Sequence, residues 1–266
     1  MSKTPSVAAG LAAHDALPPV RMDRFTRPDG RPQRMMPLMR RVEVAHLSPS
    51  GTDIRDFSRL VPALPAFEEA FAAFARGTLM STDRGLVAVE DLLPGDRVRT
   101  VDDGFQTLLW HGRTMIVPQA QGQDPVMTRL TRIAADALGI ARPMTDLLLG
   151  PRARLVHRAP GIRKLTGADL ALVPARDFVD GINLIGLTPV APTPVCHLGF
   201  ARHHRLVANG VEVESFHPGP MHALGLRGDL LDLYMSCFPH IAGPDAFGAA
   251  ILPRLRMADL DLFDVA

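Results

Sequence analysis

Only two cysteines, Cys196 and Cys237, occur in 266 residues. That is too few for a disulfide framework or a paired CxxC metal knuckle. Aromatic residues are scarce at 5%, so Val, Leu, Ile and Met are expected to do most of the packing. No run approaches the ~18 consecutive apolar residues that a membrane-spanning helix needs. The formal net charge of +1 points neither toward nor away from nucleic acid as a global partner. The first twenty residues carry one lysine, Lys3, and a short Ala-rich run, a poor secretory signal. No Gly-rich phosphate loop and no repeat at a solenoid period is present. These absences predict no cofactor, no metal, no nucleic-acid partner and no membrane span. They make a reducing, cytoplasmic setting the default and leave export open.

What is present is a 47% hydrophobic chain, enough for a core within one large domain or one domain with tails. Residues 1–40 are rich in Pro, Arg and Met and read as a disordered leader. Arg21, Arg24, Arg27, Arg31, Arg34, Arg40 and Arg41 make this stretch locally basic, as a nucleic-acid or anionic-surface arm would be. Asp15, Asp23 and Asp29 dilute that charge and favour a solvated tail. Val42 and Val44 flank Glu43 before a turn at 49–51, as in a short strand or a docking segment. Pro65 opens a helical pattern in which Phe67, Phe71 and Phe74 share a face, with Glu68 and Glu69 near the positive end of the helix dipole.

From Gly77 onward short alternating runs separated by turns predict β structure. They are 78–81, 86–89, 97–101 and 106–111, with Trp110 as core. A strand is taken for 126–133 over the helix that Asp124-Pro125 could cap. Further runs lie within 146–157, 169–178, 183–187, 195–200 and 203–216. Residues 222–238 have helical spacing at Leu224, Leu231 and Tyr234. In the segment after Pro253, Leu255, Met257, Leu260 and Leu262 among acids suggest docking. Short strands this regularly spaced predict an all-β fold.

The stretch from Ala73 to Thr100 organises the rest. Its motifs are Phe74, Gly77 and Thr78, then Val89-Glu90-Asp91-Leu92, then Pro94-Gly95-Asp96 and Val98. This block resembles the opening of a Hint (Hedgehog/intein) domain, where CFxxGT is followed by VEDLxPGDxVxT. Asn209-Gly210, with His204 five residues earlier, resembles the closing HxFxANG block of inteins. The resemblance spans roughly 70–219. It implies an all-β, horseshoe-like Hint fold over 66–219, preceded by a mostly disordered leader (1–65). A short helical extension (220–266) would follow and pack on the domain.

The resemblance also fixes where chemistry should sit. In such a domain a thiol or hydroxyl attacks the peptide carbonyl just before its own residue, closing a small ring. That bond here is Ala72-Ala73, and Ala73 carries no nucleophile. Thr78 and Ser81 cannot reach back to it. The family's Thr/Ser-x-x-His motif, which activates the scissile amide, aligns with Gly150 and Ala153, neither of which can exchange a proton through its side chain. The terminal His-Asn pair is replaced by Glu214-Ser215, and Ser cannot form a succinimide. His204 remains as a vestigial acid/base.

Other constellations compete. Cys196, His197, His203 and His204 lie close in sequence, yet lack zinc-like spacing. Ser215 and His217 suit a hydrolase pair only in the absence of better cues, since no nucleophile elbow accompanies them. Glu90-Asp91 reads as framework, bonding backbone near the Pro94-Gly95 turn. The expected function is therefore that of a bacterial Hint-type pseudoenzyme, inactive in self-cleavage, with a binding or scaffolding role toward an unknown protein partner. The rival is a self-cleaving domain that uses a non-standard nucleophile such as Ser215 or Cys196.

Overall fold

A computed structural model describes residues 38–261. The expectation of a disordered leader over 1–37, and Leu262, lie outside the described residues. The chain begins with β1 (Met39–Leu47) and β2 (Ile54–Pro62), then α1 (Pro65–Phe71), β3 (Phe74–Ala75), β4 (Leu79–Thr82) and β5 (Gly85–Ala88). There follow β6 (Arg97–Arg99), β7 (Phe105–Thr107), β8 (Trp110–Ile116), β9 (Leu130–Ile133), β10 (Leu147–Leu149) and β11 (Arg154–His157). After α2 (Pro160–Thr166) come β12 (Ala171–Pro174), β13 (Leu184–Leu187), β14 (Thr193–Gly199), β15 (Arg205–Ala208) and β16 (Val211–Glu214). Two short helices close the described chain, α3 (Asp229–Met235) and α4 (Met257–Asp261).

The strands form two antiparallel sheets, a mostly β architecture as the sequence predicts. One runs β13-β9-β10-β3-β14-β8-β1-β2, and the other β12-β11-β16-β15-β4-β6-β7 with β5 on β4. The main core lies among Phe74, Met80, Leu92, Leu149, Leu198, Leu206 and Val213. Apart from Phe74 and Phe200 it is mainly aliphatic, as the composition requires. The few aromatics concentrate in a second cluster of Phe67, Phe71, Trp110, Phe216, Tyr234, Phe238 and Phe247. There Trp110 donates through Nε1 to the Cys237 carbonyl at 2.8 Å, and the Phe216 and Phe238 rings stack 4.9 Å apart. This ring cluster ties residues 234–247 to the first sheet and to α1. Leu260 and Ile162 share a smaller cluster against Ala171.

Several local expectations change. Residues 39–62, expected within a mostly disordered leader, form β1 and β2 and are full members of the first sheet. β1 alternates strictly, burying Arg40, Val42, Val44 and His46, and pairs with β8 over Val42–His46. A partner seventy residues onward supplies the ladder that the local sequence does not reveal. The Phe67–Phe71–Phe74 row is cut: α1 stops at Phe71, Ala72 leaves helical geometry, and Phe74 is already in a strand facing the other core. The predicted helix at 222–238 is a single turn at Met221–Leu224 followed by α3, because Gly225 adopts a left-handed φ of 68°. The strand taken for 126–133 is confined to β9. Asp124 accepts a bond from the Val126 N–H and starts a tight helical turn over Pro125–Thr128. α2, opened by Pro160 and closed by left-handed Gly167, had no counterpart in the sequence reading.

Candidate functional site

The bond that would be cleaved in a processing relative, Ala72-Ala73, joins α1 to β3 and is buried, each alanine being 0–1% exposed. Both polar atoms of the peptide and the carbonyl after it are engaged. The Ala73 N–H donates to the Cys196 carbonyl at 3.1 Å. The Ala72 carbonyl accepts from the Arg152 N–H at 2.9 Å, and the Ala73 carbonyl from the Gly150 N–H at 2.7 Å. The loop 150–153 therefore clamps the peptide from its own backbone. Gly150 makes this close approach possible, since a Cβ there would stand 2.4 Å from the Ala72 oxygen. So the Ser/Thr position of the motif lacks its side chain and, in addition, the room for one. Ala153 is buried, and its carbonyl accepts from the Ala175 N–H.

Around this clamp runs a chain of charges. Glu68, fully buried on α1, is held by Arg40 at 2.9 Å and by Arg152 at 2.6 Å. Arg152 also meets Asp124 at 2.8 Å, and Arg154 bridges Glu69 to Glu214, the latter at 3.0 Å. Glu214 in turn takes Arg254 at 2.7 Å and lies 3.1 Å from His203 Nε2. Four arginines thus face four carboxylates; Glu68, Glu214, Arg40, Arg152 and Arg154 have little access to water, so each of these charges needs its partner, whereas Glu69, Asp124 and Arg254 remain partly exposed. Although burial pushes the Glu214 carboxyl up, Arg254, Arg154 and His203 outweigh it and hold it well below the usual carboxylate range. Arg154 is correspondingly held above the ordinary arginine value, despite its burial, by Glu214 and Glu69.

Glu68 and Glu69 are therefore ion-pair partners, not simple dipole complements. Arg40, read in the sequence as part of a solvated basic leader, is buried against Glu68, and Arg152, Arg154 and Arg254 went unnoticed, although the alternating Pro151-Arg152-Ala153-Arg154 run inside an apolar segment was an available signal. The remaining predicted residues fall as follows. Ser215 Oγ accepts from the His204 N–H at 2.9 Å, and the Ser215 N–H donates to the His204 carbonyl. The His204 imidazole points instead to Asp103, 3.2 Å away. Burial lowers its pKa, against the opposing pull of Asp103. No contact brings His204 to Ala73. Ser215 and His217 do not pair: His217 accepts from the Gly219 N–H and meets the Gly248 carbonyl.

Cys196 is buried, and desolvation pushes its thiol up. His197 packs edge-on against Phe74 and Phe216. Among the described residues, no group of three His, Cys, Asp or Glu side chains is placed to hold a metal ion. Glu90 bonds the Gly77 N–H and Arg76. The acid at the Pro94-Gly95 turn is Asp96, which accepts from the Leu93 N–H. Asn209 accepts from the Leu79 N–H and donates to Thr145, so the closing motif pins the start of the opening one.

A family model described as Hint domain matches residues 72–220, more than half of the chain. The chain belongs to the Hint domain family. Its match begins at the Ala72-Ala73 peptide and ends just beyond β16, so the β1–β2 hairpin and the segment after residue 220 lie outside the Hint match. Solved structures similar to it include two intein-like domains. One is the solution structure of a bacterial intein-like domain from Clostridium thermocellum, at 13% identity and a TM-score of 0.37, covering 55% of this chain and 100% of that one. The other is a GSH-linked, splice-inactive variant of the AceL NrdHF class 3 split intein, at 11% identity and the same TM-score, covering 55% of this chain and 98% of that one. No curated protein matches the chain. No helix among the described residues is long and apolar enough to cross a membrane.

Proposed function

We propose that this Hint protein does not cleave itself and acts through binding or scaffolding. One observation carries the reading: the Ala72-Ala73 peptide has no nucleophile and is clamped by the backbone of Gly150 and Arg152 at the position where the amide-activating motif belongs. Glu214, at the place of the terminal histidine, is committed to Arg154 and Arg254. These features support a site whose catalytic groups have been replaced by structural ones. A non-standard nucleophile finds little support, since the Ser215 hydroxyl receives the His204 N–H and the Cys196 thiol is desolvated. The partner in this reading is a protein.

Intact mass of the purified full-length chain, followed over a day with and without dithiothreitol or hydroxylamine, tests the proposal. A single unchanged mass is expected. A discrete fragment pair would name a cut and overturn it.

A further inference from the structure

Pro151, in the loop that clamps Ala72-Ala73, also lines a cavity of about 500 Å³ that takes in Arg129, Arg176, Asp177 and Arg256. Three guanidiniums therefore meet one carboxylate. Asp177 is already committed to Arg256: its two oxygens accept from Nε at 2.6 Å and Nη2 at 2.9 Å, and one accepts also from the Met257 N–H at 3.2 Å. It stands 3.9 Å from Arg176 Nε, too far for a hydrogen bond. Glu69 and Asp259 add attraction to Arg176 and Arg256 respectively, without lining the cavity.

Two positive charges are left over. Arg176 is fixed by a single hydrogen bond, from Nη1 to the Pro151 carbonyl at 2.9 Å. Its Nε and Nη2 make none among the described residues, and neither atom is sealed from solvent. Burial, then repulsion from Arg256 and Arg152, lowers its pKa against the pull of Asp177 and Glu69. A guanidinium does not give up its proton in a folded protein, so that repulsion favours an incoming anion. Arg129 is exposed, and its side chain makes no ion pair or hydrogen bond among the described residues. Its stem passes Gly186 of β13, where a Cβ would stand 3.9 Å from the Arg129 Cδ. Pro125, Val126 and Val179 give the cavity an apolar wall beside these charges.

We infer that this cavity binds a small phosphate monoester with an apolar body, its phosphoryl oxygens accepting from Arg129 and Arg176 and its body lying against Pro125, Val126 and Val179. A monoester carries roughly −1.5 to −2 charges near pH 7, which matches the surplus. Its three oxygens suit two planar guanidinium forks, whereas a lone carboxylate brings one charge. The inference does not depend on whether the chain cleaves itself.

Phenyl phosphate is the probe for the full-length protein. Its controls are phenol, which lacks the charge, and inorganic phosphate, which lacks the ring. Calorimetry should show phenyl phosphate binding more tightly than either, with phenol weaker by about tenfold or more. Backbone amide shifts should move at Val179 and Gly186, and added salt should weaken the binding. Arg129→Gln removes no contact within the fold and should weaken phenyl phosphate about tenfold, the worth of one charged hydrogen-bond partner. Arg55→Gln, at an exposed arginine of β2 outside the cavity, should leave the affinity unchanged. The inference would be overturned by phenyl phosphate that binds no tighter than either control, or by an Arg129→Gln protein that binds like the native one. Equal weakening by Arg55→Gln would overturn it too, since net charge alone would then account for the effect.

Discussion

Replacing Glu214 by alanine should destabilise the protein more than any other single change in the charged chain. Its carboxylate is 2% exposed and faces Arg154, Arg254 and His203, whose side chains are 14%, 25% and 0% exposed. Removing it leaves Arg154 with Glu69 and leaves Arg254 with the His217 carbonyl. Breaking a buried pair from one side costs about 3–5 kcal/mol, chiefly because the remaining charge stays desolvated. With a urea dependence of about 2–3 kcal/mol/M for a chain of this size, the unfolding midpoint should fall by about 1–2 M.

The pH dependence carries a sharper signature. The folded carboxyl titrates well below 4.5, whereas the unfolded one titrates near that ordinary value. Between the two the unfolded chain binds the extra proton, so this contribution to stability is complete above about pH 4.5 and drains away as the pH falls through the folded pKa. A Glu214→Gln variant should therefore trail the native protein by a constant margin at neutral pH and converge on it in acid. A loss under about 1 kcal/mol for Glu214→Ala, or a margin that does not shrink below pH 4.5, would refute the reasoning.

Gly150→Ala should cost about 1–3 kcal/mol or more, because the new Cβ would meet the backbone Ala72 oxygen at 2.4 Å, and backbone cannot swing aside as a side chain can. Thermal unfolding would register it, and an unchanged melting temperature would deny the clamp. Phe238→Ala should cost about 3–5 kcal/mol, since this ring is fully buried against Phe71, Trp110, Phe216 and Phe247. Urea unfolding of that variant measures whether the segment after the Hint match is part of the folding unit.

Much of the framework was legible because its signals are local. The alternating runs read at 78–81 and 86–89 give β4 and β5, and the motif Pro94-Gly95-Asp96 precedes β6 directly. The β1–β2 hairpin was not legible as part of the domain. Its alternation is ordinary, and only pairing with β8 makes it a sheet member. The Phe67–Phe71–Phe74 row was misread for a related reason. Helical spacing in sequence is indifferent to the point where the chain must turn to offer the Ala73 N–H to Cys196.

The sequence by itself determined what Ala73, Gly150 and Ala153 cannot do. Nucleophilicity and proton transfer are properties of single side chains, and no packing confers them on alanine or glycine. Only the tertiary structure decided what occupies the surroundings of that peptide. Arg40, Glu68, Glu69, Asp124, Arg152, Arg154, Glu214 and Arg254 come from separate segments. In an extended chain each is an ordinary hydrated charge. They become an obligatory chain of pairs only where the fold removes the water between them.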